Sequence, residues 1–212
     1  MYTSNINHKR CLVVIFLVVI LNSALIQNVI TDELYYQTYS EHLSTKMIAR
    51  VLSLKRQYSW VNFVLLPIIF YVKLLFVTCC FWLGAFWAGI KSNFKDYWKV
   101  ALIAEFISLF FLLINTGLLY YYDFQTLTEI QQFQPFSLLG FLNPENIPAY
   151  YHYILATISI PEAIYWIVLA ILLKPLLQID FRKSLGFVAK TYGVGLSLWI
   201  SFVVFLTLSF TV

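Results

Sequence analysis

The stretch YSWVNFVLLPIIFYVKLLFVTCCFWLGAFWAGI, Tyr58 to Ile90, decides the fold class, because Lys73 is its one charged residue. As a single helix rising 1.5 Å per residue it would be about 50 Å long, which exceeds a hydrocarbon core of about 30 Å. Two crossings would need about 40 residues, so we predict one tilted transmembrane helix with an aromatic approach. We expect Pro67 to kink it near its start.

Four further apolar stretches extend this pattern over the chain. Hydrophobic residues make up 61% of the 212 residues and charged residues 11%, against roughly 25% charged residues in globular domains. A water-soluble protein of this length could not bury so much apolar surface, whereas lipid tails solvate it. The sequence therefore predicts an all-α membrane bundle, one integral membrane domain over residues 1–212. The expected spans are about 11–30, 62–88, 100–122, 149–173 and 186–210.

The first span and the polar segment that follows it leave alternatives open. Residues 11–30 follow Lys9 and Arg10 as in a signal peptide, but no small-residue cleavage site comes after them. A retained span is expected, with removal as the alternative. Residues 43–57 place apolar side chains near one side of a helix and basic side chains mainly elsewhere, which predicts an interfacial amphipathic helix. A helix packed on the spans fits the same pattern.

The distribution of charge between the loops predicts an orientation. The links after the second and fourth spans contain six basic residues: Lys91, Lys95, Lys99, Lys174, Arg182 and Lys183. The loop after the third span has three acidic residues and no Lys or Arg. The positive-inside rule then places the basic links and the N-terminus in the cytoplasm and the C-terminus outside, as for a bacterial inner membrane. The basic residues at positions 46–56 oppose this, because that segment would be external.

Polar groups inside the spans are the candidate functional residues, because each is costly in hydrocarbon. Lys73 and Glu162 lie at similar depth, and we predict that they pair, either to fix helix packing or along a path for protons or a substrate. Pro161 would free a backbone carbonyl or kink the fourth span. Asn115 belongs to a polar notch in the third span, which interhelical hydrogen bonding is expected to explain. Glu105 is expected to be solvated or to pair with a lysine of the basic links.

The sequence contains no arrangement of catalytic or metal-binding type. Its histidines lie on separate polar segments, and Cys11, Cys79 and Cys80 lack the spacing of a metal site. It has no Ser-His-Asp spacing, phosphate-binding loop or HExxH helix. We therefore expect no enzymatic activity, no metal and no cofactor. Without a long basic stripe, nucleic acid is not an expected partner.

Two aromatic and basic stretches carry a resemblance to a family of membrane proteins. In FWAGIKSNFKDYWKVALIAE, Phe86 to Glu105, a span ends in small residues and an aromatic-basic link opens the next span. ISIPEAIYWIVLAILL, Ile158 to Leu173, is followed by FRKSLGFVAKTYG, Phe181 to Gly193. Together with the five spans, these stretches resemble the Yip domain family, named for Ypt/Rab-interacting proteins, in its small bacterial branch. The resemblance covers roughly residues 58–212.

The resemblance implies a non-enzymatic multi-pass protein with a membrane-organising or interaction role. Of the family's Gly-rich link, only Gly84 and Gly89 are present. The alternative function is that of a permease or a membrane subunit of a transporter, which should line a polar path through its spans. The expected partners are the lipid bilayer and either another membrane protein or a transporter ATPase.

Overall fold

The computed structural model describes residues 8–40, 42–142 and 147–211. Within these ranges the chain is almost entirely helical, and its β-structure is an isolated bridge between Ser137 and Ser159. The helices are α1 (His8–Val29), α2 (Asp32–Tyr39), α3 (Thr45–Trp87), α4 (Phe94–Leu119), α5 (Leu127–Gln132), α6 (Leu138–Phe141), α7 (Ala149–Thr157), α8 (Ile160–Leu177), α9 (Phe181–Val188), a π-helical turn (Ala189–Gly193) and α10 (Val194–Thr211).

Five helical stretches of the described chain are long and apolar enough to cross a membrane. They are Lys9–Val29, Thr45–Trp87, Phe94–Leu119, Ile160–Leu177 and Phe181–Phe210. Many large apolar side chains on these stretches are exposed, as expected where lipid rather than water is the solvent. The predicted all-α class with about five spans is confirmed, and the chain has the architecture of an integral multi-pass membrane protein.

Helix α4 lies at the centre of the bundle, packed against α1, α3 and α8. Ala101 and Ala104 on α4 are fully buried, and such small side chains let neighbouring helices approach closely. α8 also packs against α9, and the π-helical turn packs against α3. The middle of α4 is therefore enclosed by three other helices, which makes it the best shielded position in the bundle.

The predicted interfacial helix at residues 43–57 is not a separate element. Helix α3 runs without a break from Thr45 to Trp87 and continues through Pro67. No glycine or proline interrupts its first part before Pro67. Ile48 and Leu52 are buried there, and this part packs against α2. Other apolar side chains of this part are exposed, so its position at the membrane interface stays a prediction.

Two of the basic residues in the first part of α3 are held by α2 and by the end of α1. Lys55 donates a hydrogen bond to the carbonyl of Ile30, 3.1 Å away, just beyond the C-terminus of α1. Arg56 forms an ion pair with Asp32. Helix C-termini favour cations, so these contacts explain locally why basic residues occur after the first span. The Lys55 ammonium also lies 4.4 Å from the ring of Tyr35, whose pKa is raised chiefly by burial.

The stretch predicted as one span at residues 149–173 consists of two helices. α7 ends at Thr157 and α8 begins at Ile160, with extended backbone at Ile158 and Ser159 between them. The N–H of Leu138 donates to the carbonyl of Ile158, and the N–H of Ile160 donates to that of Phe136, both at 2.9 Å. These bonds satisfy the backbone groups that the break exposes, as a non-helical segment among transmembrane helices requires.

Pro161 therefore has a different place from the one predicted. It lies in the first turn of α8, at the second helical residue, and not inside a longer helix. The N–H groups of a first helical turn have no partner within the helix, so proline removes no hydrogen bond there. Pro161 starts α8 rather than kinking a continuous fourth span.

Candidate functional site

An ion pair lies inside the bundle between α3 and α4. The Lys73 ammonium is 3.0 Å from Oε2 of Glu105 and donates a second hydrogen bond to Ser108 Oγ at 3.2 Å. Tyr165 OH, on α8, donates to Oε1 of Glu105 at 3.0 Å. The Glu105 side chain has no exposed surface, and both of its oxygens are satisfied. We call Lys73, Glu105, Ser108 and Tyr165 the inner cluster.

The inner cluster corrects two predictions. Lys73 pairs with Glu105, and the predicted Lys73–Glu162 pair is not formed. The two residues share a depth, but depth along a span does not determine which helices are neighbours. Glu105 is also neither solvated nor paired with a lysine of the basic links, because its face of α4 points toward α3 and α8.

Glu162 has a separate set of partners around the start of α8. Trp166 Nε1 and Tyr192 OH each donate to its Oε1 at 2.8 Å. Within the described chain no hydrogen bond reaches Oε2. The Glu162 N–H donates to Ser159 Oγ at 3.3 Å, so Ser159 caps the helix. A carboxylate in the first turn interacts favourably with the helix dipole. Glu162, Trp166 and Tyr192 form the outer cluster.

The π-helical turn brings Tyr192 to Glu162. It interrupts the last span at Ala189–Gly193, and such turns are frequent at functional sites. Gly193 allows the close approach, because a Cβ there would lie 2.7 Å from Cη2 of the Trp166 ring. The Tyr165 and Tyr192 rings meet edge to face with centroids 5.8 Å apart, so the two clusters are in contact.

A cavity of about 230 Å³ lies between α4, the start of α8 and the segment before α6. Its polar lining comes from Ser108, Asn115, Gln134, Ser137, Ser159 and Glu162, and its apolar lining from Phe111, Leu112, Pro135, Phe136, Ala156 and Pro161. Ser108 belongs to both the cavity wall and the inner cluster. The lining brings together Asn115, Pro161 and Glu162, three of the five predicted intramembrane candidates.

Asn115 is a polar residue of the cavity wall, and its amide oxygen is unused. The Oδ1 atom is buried and has no hydrogen-bond partner in the described chain. A buried polar atom without a partner costs about 1–3 kcal/mol, so natural proteins seldom leave one unless a water or ligand satisfies it. Because this oxygen has almost no accessible surface, the carboxyl of Glu162 is the acidic acceptor that the cavity wall offers.

The six residues of the basic links lie apart from the cavity. Five are exposed: Lys91, Lys95, Lys174, Arg182 and Lys183. The sixth, Lys99, is half-buried and forms an ion pair with Asp96 at 3.5 Å. The links flank the C-termini of α3 and α8 and the N-termini of α4 and α9. They form one end of the bundle, because α8 packs antiparallel to α4. We call it the basic end and the opposite one the loop end.

Sequence reasoning missed Tyr165, Trp166, Tyr192 and Ser108, because such residues usually serve as ordinary packing groups in membrane helices. The break before α8 did carry a signal. The sequence Ser159-Ile160-Pro161-Glu162 has the S-x-x-E spacing of a capping box. A helix start at that point would have placed Glu162 in a first turn.

Comparison of the chain with protein-family models, with curated proteins and with solved structures gives no match. The resemblance to the Yip domain family therefore stays a prediction. Among the described residues no three His, Cys, Asp or Glu side chains lie close enough together to hold a metal ion. The two clusters and the cavity are therefore the features of the molecule that bear on its function.

Proposed function

We propose that this protein is a membrane transport protein, a permease or the membrane subunit of a transporter, whose solute enters the cavity between α4 and α8. The observation that carries this proposal is an open cavity of about 230 Å³ between α4 and α8, with Glu162 and Asn115 among the residues of its wall. Binding sites for small molecules are concave, mostly apolar and equipped with a few placed polar groups.

The position of the inner cluster supports a transport role. Ser108 joins the cavity to the Lys73–Glu105 pair, so the cluster adjoins the cavity on the side of the basic end. Ionisable groups inside transmembrane segments are rare, and they often mark a pathway for a substrate or an ion. The broken α7–α8 segment fits this role, since transporter sites are commonly built from discontinuous helices.

The proposal departs from the role implied by the Yip resemblance, membrane organisation or interaction, because that role does not call for an intramembrane cavity. An ATPase partner remains part of the proposal, with the exposed basic links as the surface that it would contact. We further propose that the basic end faces the cytoplasm of a bacterial inner membrane. That puts the N-terminus inside and the C-terminus outside.

Alternating access tests the transport proposal without knowledge of the solute. Asn115→Cys is introduced into a variant in which Cys11, Cys79 and Cys80 are replaced, and the protein is reconstituted in liposomes. We expect membrane-impermeant thiol reagents to label residue 115 from either side of the membrane, because a transporter opens its site to each side in turn. Labelling is measured by mass shift, with reagent applied outside or trapped inside.

A control position on the outer face of α4 shows whether labelling reports access to the cavity. Leu113 lies on α4 two residues away and is exposed on the outer face of the bundle, where lipid would surround it. Leu113→Cys should remain unlabelled by the same reagents. Labelling of residue 115 from one side only, or from neither side, would rule out transport through this cavity.

A further inference from the structure

The charges around the cavity do not balance. The inner cluster contains one cation, Lys73, and one anion, Glu105, held 3.0 Å apart. Glu162 has no basic side chain among its described partners, which are the neutral groups of Trp166, Tyr192 and Ser159. Together the three ionisable side chains carry one positive and two negative charges. An uncompensated carboxylate at this depth is costly unless a cation joins it.

The free hydrogen-bonding capacity of the cavity is of acceptor type. Both donors to Glu162 reach Oε1 and leave Oε2 without a hydrogen bond in the described chain. The Asn115 Oδ1 atom is also unpartnered within the same part of the structure, but it has almost no accessible surface and does not face the cavity. A ligand that satisfies Oε2 of Glu162 must donate a hydrogen bond. The N-terminus of α8, which would otherwise favour an anion, already has the Glu162 carboxylate in its first turn.

The remaining wall favours an organic cation over a bare metal ion. Phe111 and Phe136 line the cavity and meet edge to face, with centroids 5.6 Å apart. Aromatic rings attract ammonium groups and accommodate alkyl carbons. Hard metal cations require a nearly complete shell of oxygen ligands. The volume of about 230 Å³ also exceeds the space that a single bare ion needs.

From these observations we infer that the cavity binds a small primary alkylammonium ion, with the Glu162 carboxylate as its counter-ion and hydrogen-bond acceptor. The Phe111 and Phe136 rings contact its alkyl part. This inference rests on the proposed transport function for its biological meaning, because it names the class of solute that the cavity would accept.

Ligand-induced stabilisation tests the inference on the full-length protein in detergent. The probe is n-propylammonium chloride, compared at equal ionic strength with sodium chloride, tetramethylammonium chloride and neutral 1-propanol. A ligand bound at ten times its Kd should raise the midpoint of thermal unfolding by about 3 °C or more for a chain of this size. Propylammonium should give that rise. Tetramethylammonium, which has charge but no N–H donor, should give a smaller one, and the other two compounds none.

Two variants connect any shift to the cavity. Glu162→Gln removes the counter-ion, and Asn115→Phe puts a larger side chain on the cavity wall while leaving the hydrogen bonds of Glu162 in place, so at least one should fold. Each should lose the propylammonium shift. Ser201→Ala should keep it, because its hydroxyl donates to the carbonyl of Ser197 within α10 and Ser201 does not line this cavity. An equal response to propylammonium and sodium, or a shift that persists in the folded variants, would overturn the inference.

The two tests fail independently. An ammonium-specific shift without labelling from both sides would make the cavity a binding site in a protein that does not transport. Labelling from both sides without an ammonium-specific shift would leave transport in place and exclude this solute class.

Discussion

At the scale of single residues, Glu105 shows how a charged group is accommodated in the centre of an apolar bundle. Its side chain is fully buried, yet each oxygen accepts one hydrogen bond, from Lys73 and from Tyr165. Removing one partner of a buried pair costs about 3–5 kcal/mol, since the other charge is left uncompensated. Removing both charges can be nearly neutral. The non-additivity of the two changes is therefore the property to measure.

We predict that Lys73→Met lowers the stability of the protein by about 3 kcal/mol, because it leaves the Glu105 charge buried alone. The double variant Lys73→Met with Glu105→Gln should recover most of this loss, since its side chains at both positions are neutral. Thermal unfolding in detergent, followed by tryptophan fluorescence, compares the unchanged protein, Lys73→Met, Glu105→Gln and the double variant.

Lys190→Met provides the control for that series. Lys190 is an exposed lysine of the last span and has no hydrogen bond to a described residue, so its replacement should change stability by less than about 0.5 kcal/mol. If the double variant were as unstable as the sum of its single changes, the ion pair would not be the source of the effect.

At the scale of elements, the helices are held together by close approach as well as by polar contacts. A Cβ at Gly84 of α3 would overlap the side chain of Thr191 in the π-helical turn, whereas one at Gly117 of α4 would meet nothing within 4 Å. Close helix packing through small residues is typical of membrane bundles. The contact between α3 and the π-helical turn helps to fix the turn that carries Tyr192.

Gly84→Ala should therefore destabilise the protein by about 1–3 kcal/mol, the usual cost of overpacking. Gly117→Ala should be neutral or stabilising by up to about 1 kcal/mol, because alanine favours a helix more than glycine does. Unfolding midpoints of the two variants compare the same chemical change at two sites. Adding Thr191→Ser to Gly84→Ala removes the overlapping methyl group and should restore part of the loss. Equal midpoints for the two alanine variants would contradict the packing.

The elements also show how far the sequence alone determines this structure. Apolar runs with few charges predict the five spans, because a bilayer requires a minimum helix length. The join of residues 43–57 to the second span was not predicted, since an amphipathic pattern does not say whether lipid headgroups or protein cover the apolar side. The split of the fourth span was signalled by the Ser159 and Glu162 spacing but is stabilised by distant backbone groups at Phe136 and Leu138.

The candidate site was predicted less completely than the fold. Asn115, Pro161 and Glu162 all line the cavity, because polar residues in spans usually face the protein interior. The partner of Lys73 could not be predicted from depth, since several helices have a residue at each level. Tyr192 reaches Glu162 through a π-helical turn, and no periodicity in the sequence indicates where the helical hydrogen bonding changes.

At the scale of the whole molecule, five spanning stretches hold the two polar clusters, and the cavity between α4 and α8 lies beside these clusters. An odd number of crossings places the start of α1 and the end of α10 on opposite sides of the membrane. The basic links lie at one end, and α5 with its neighbouring loop lies at the other. All proposals about the cavity depend on this arrangement, because the Glu105 and Glu162 carboxyl groups lie within the bilayer only if the helices around them cross it.

Side-specific labelling of single cysteines tests that arrangement most directly. Lys95→Cys and Arg182→Cys probe the basic end, and Gln131→Cys probes the loop end; all three positions are exposed. With the native cysteines replaced and the membranes sealed, an impermeant maleimide should label residues 95 and 182 from the same side and residue 131 from the opposite side. Labelling of residues 95 and 131 from one side would contradict the account, because α4 would then not cross the membrane.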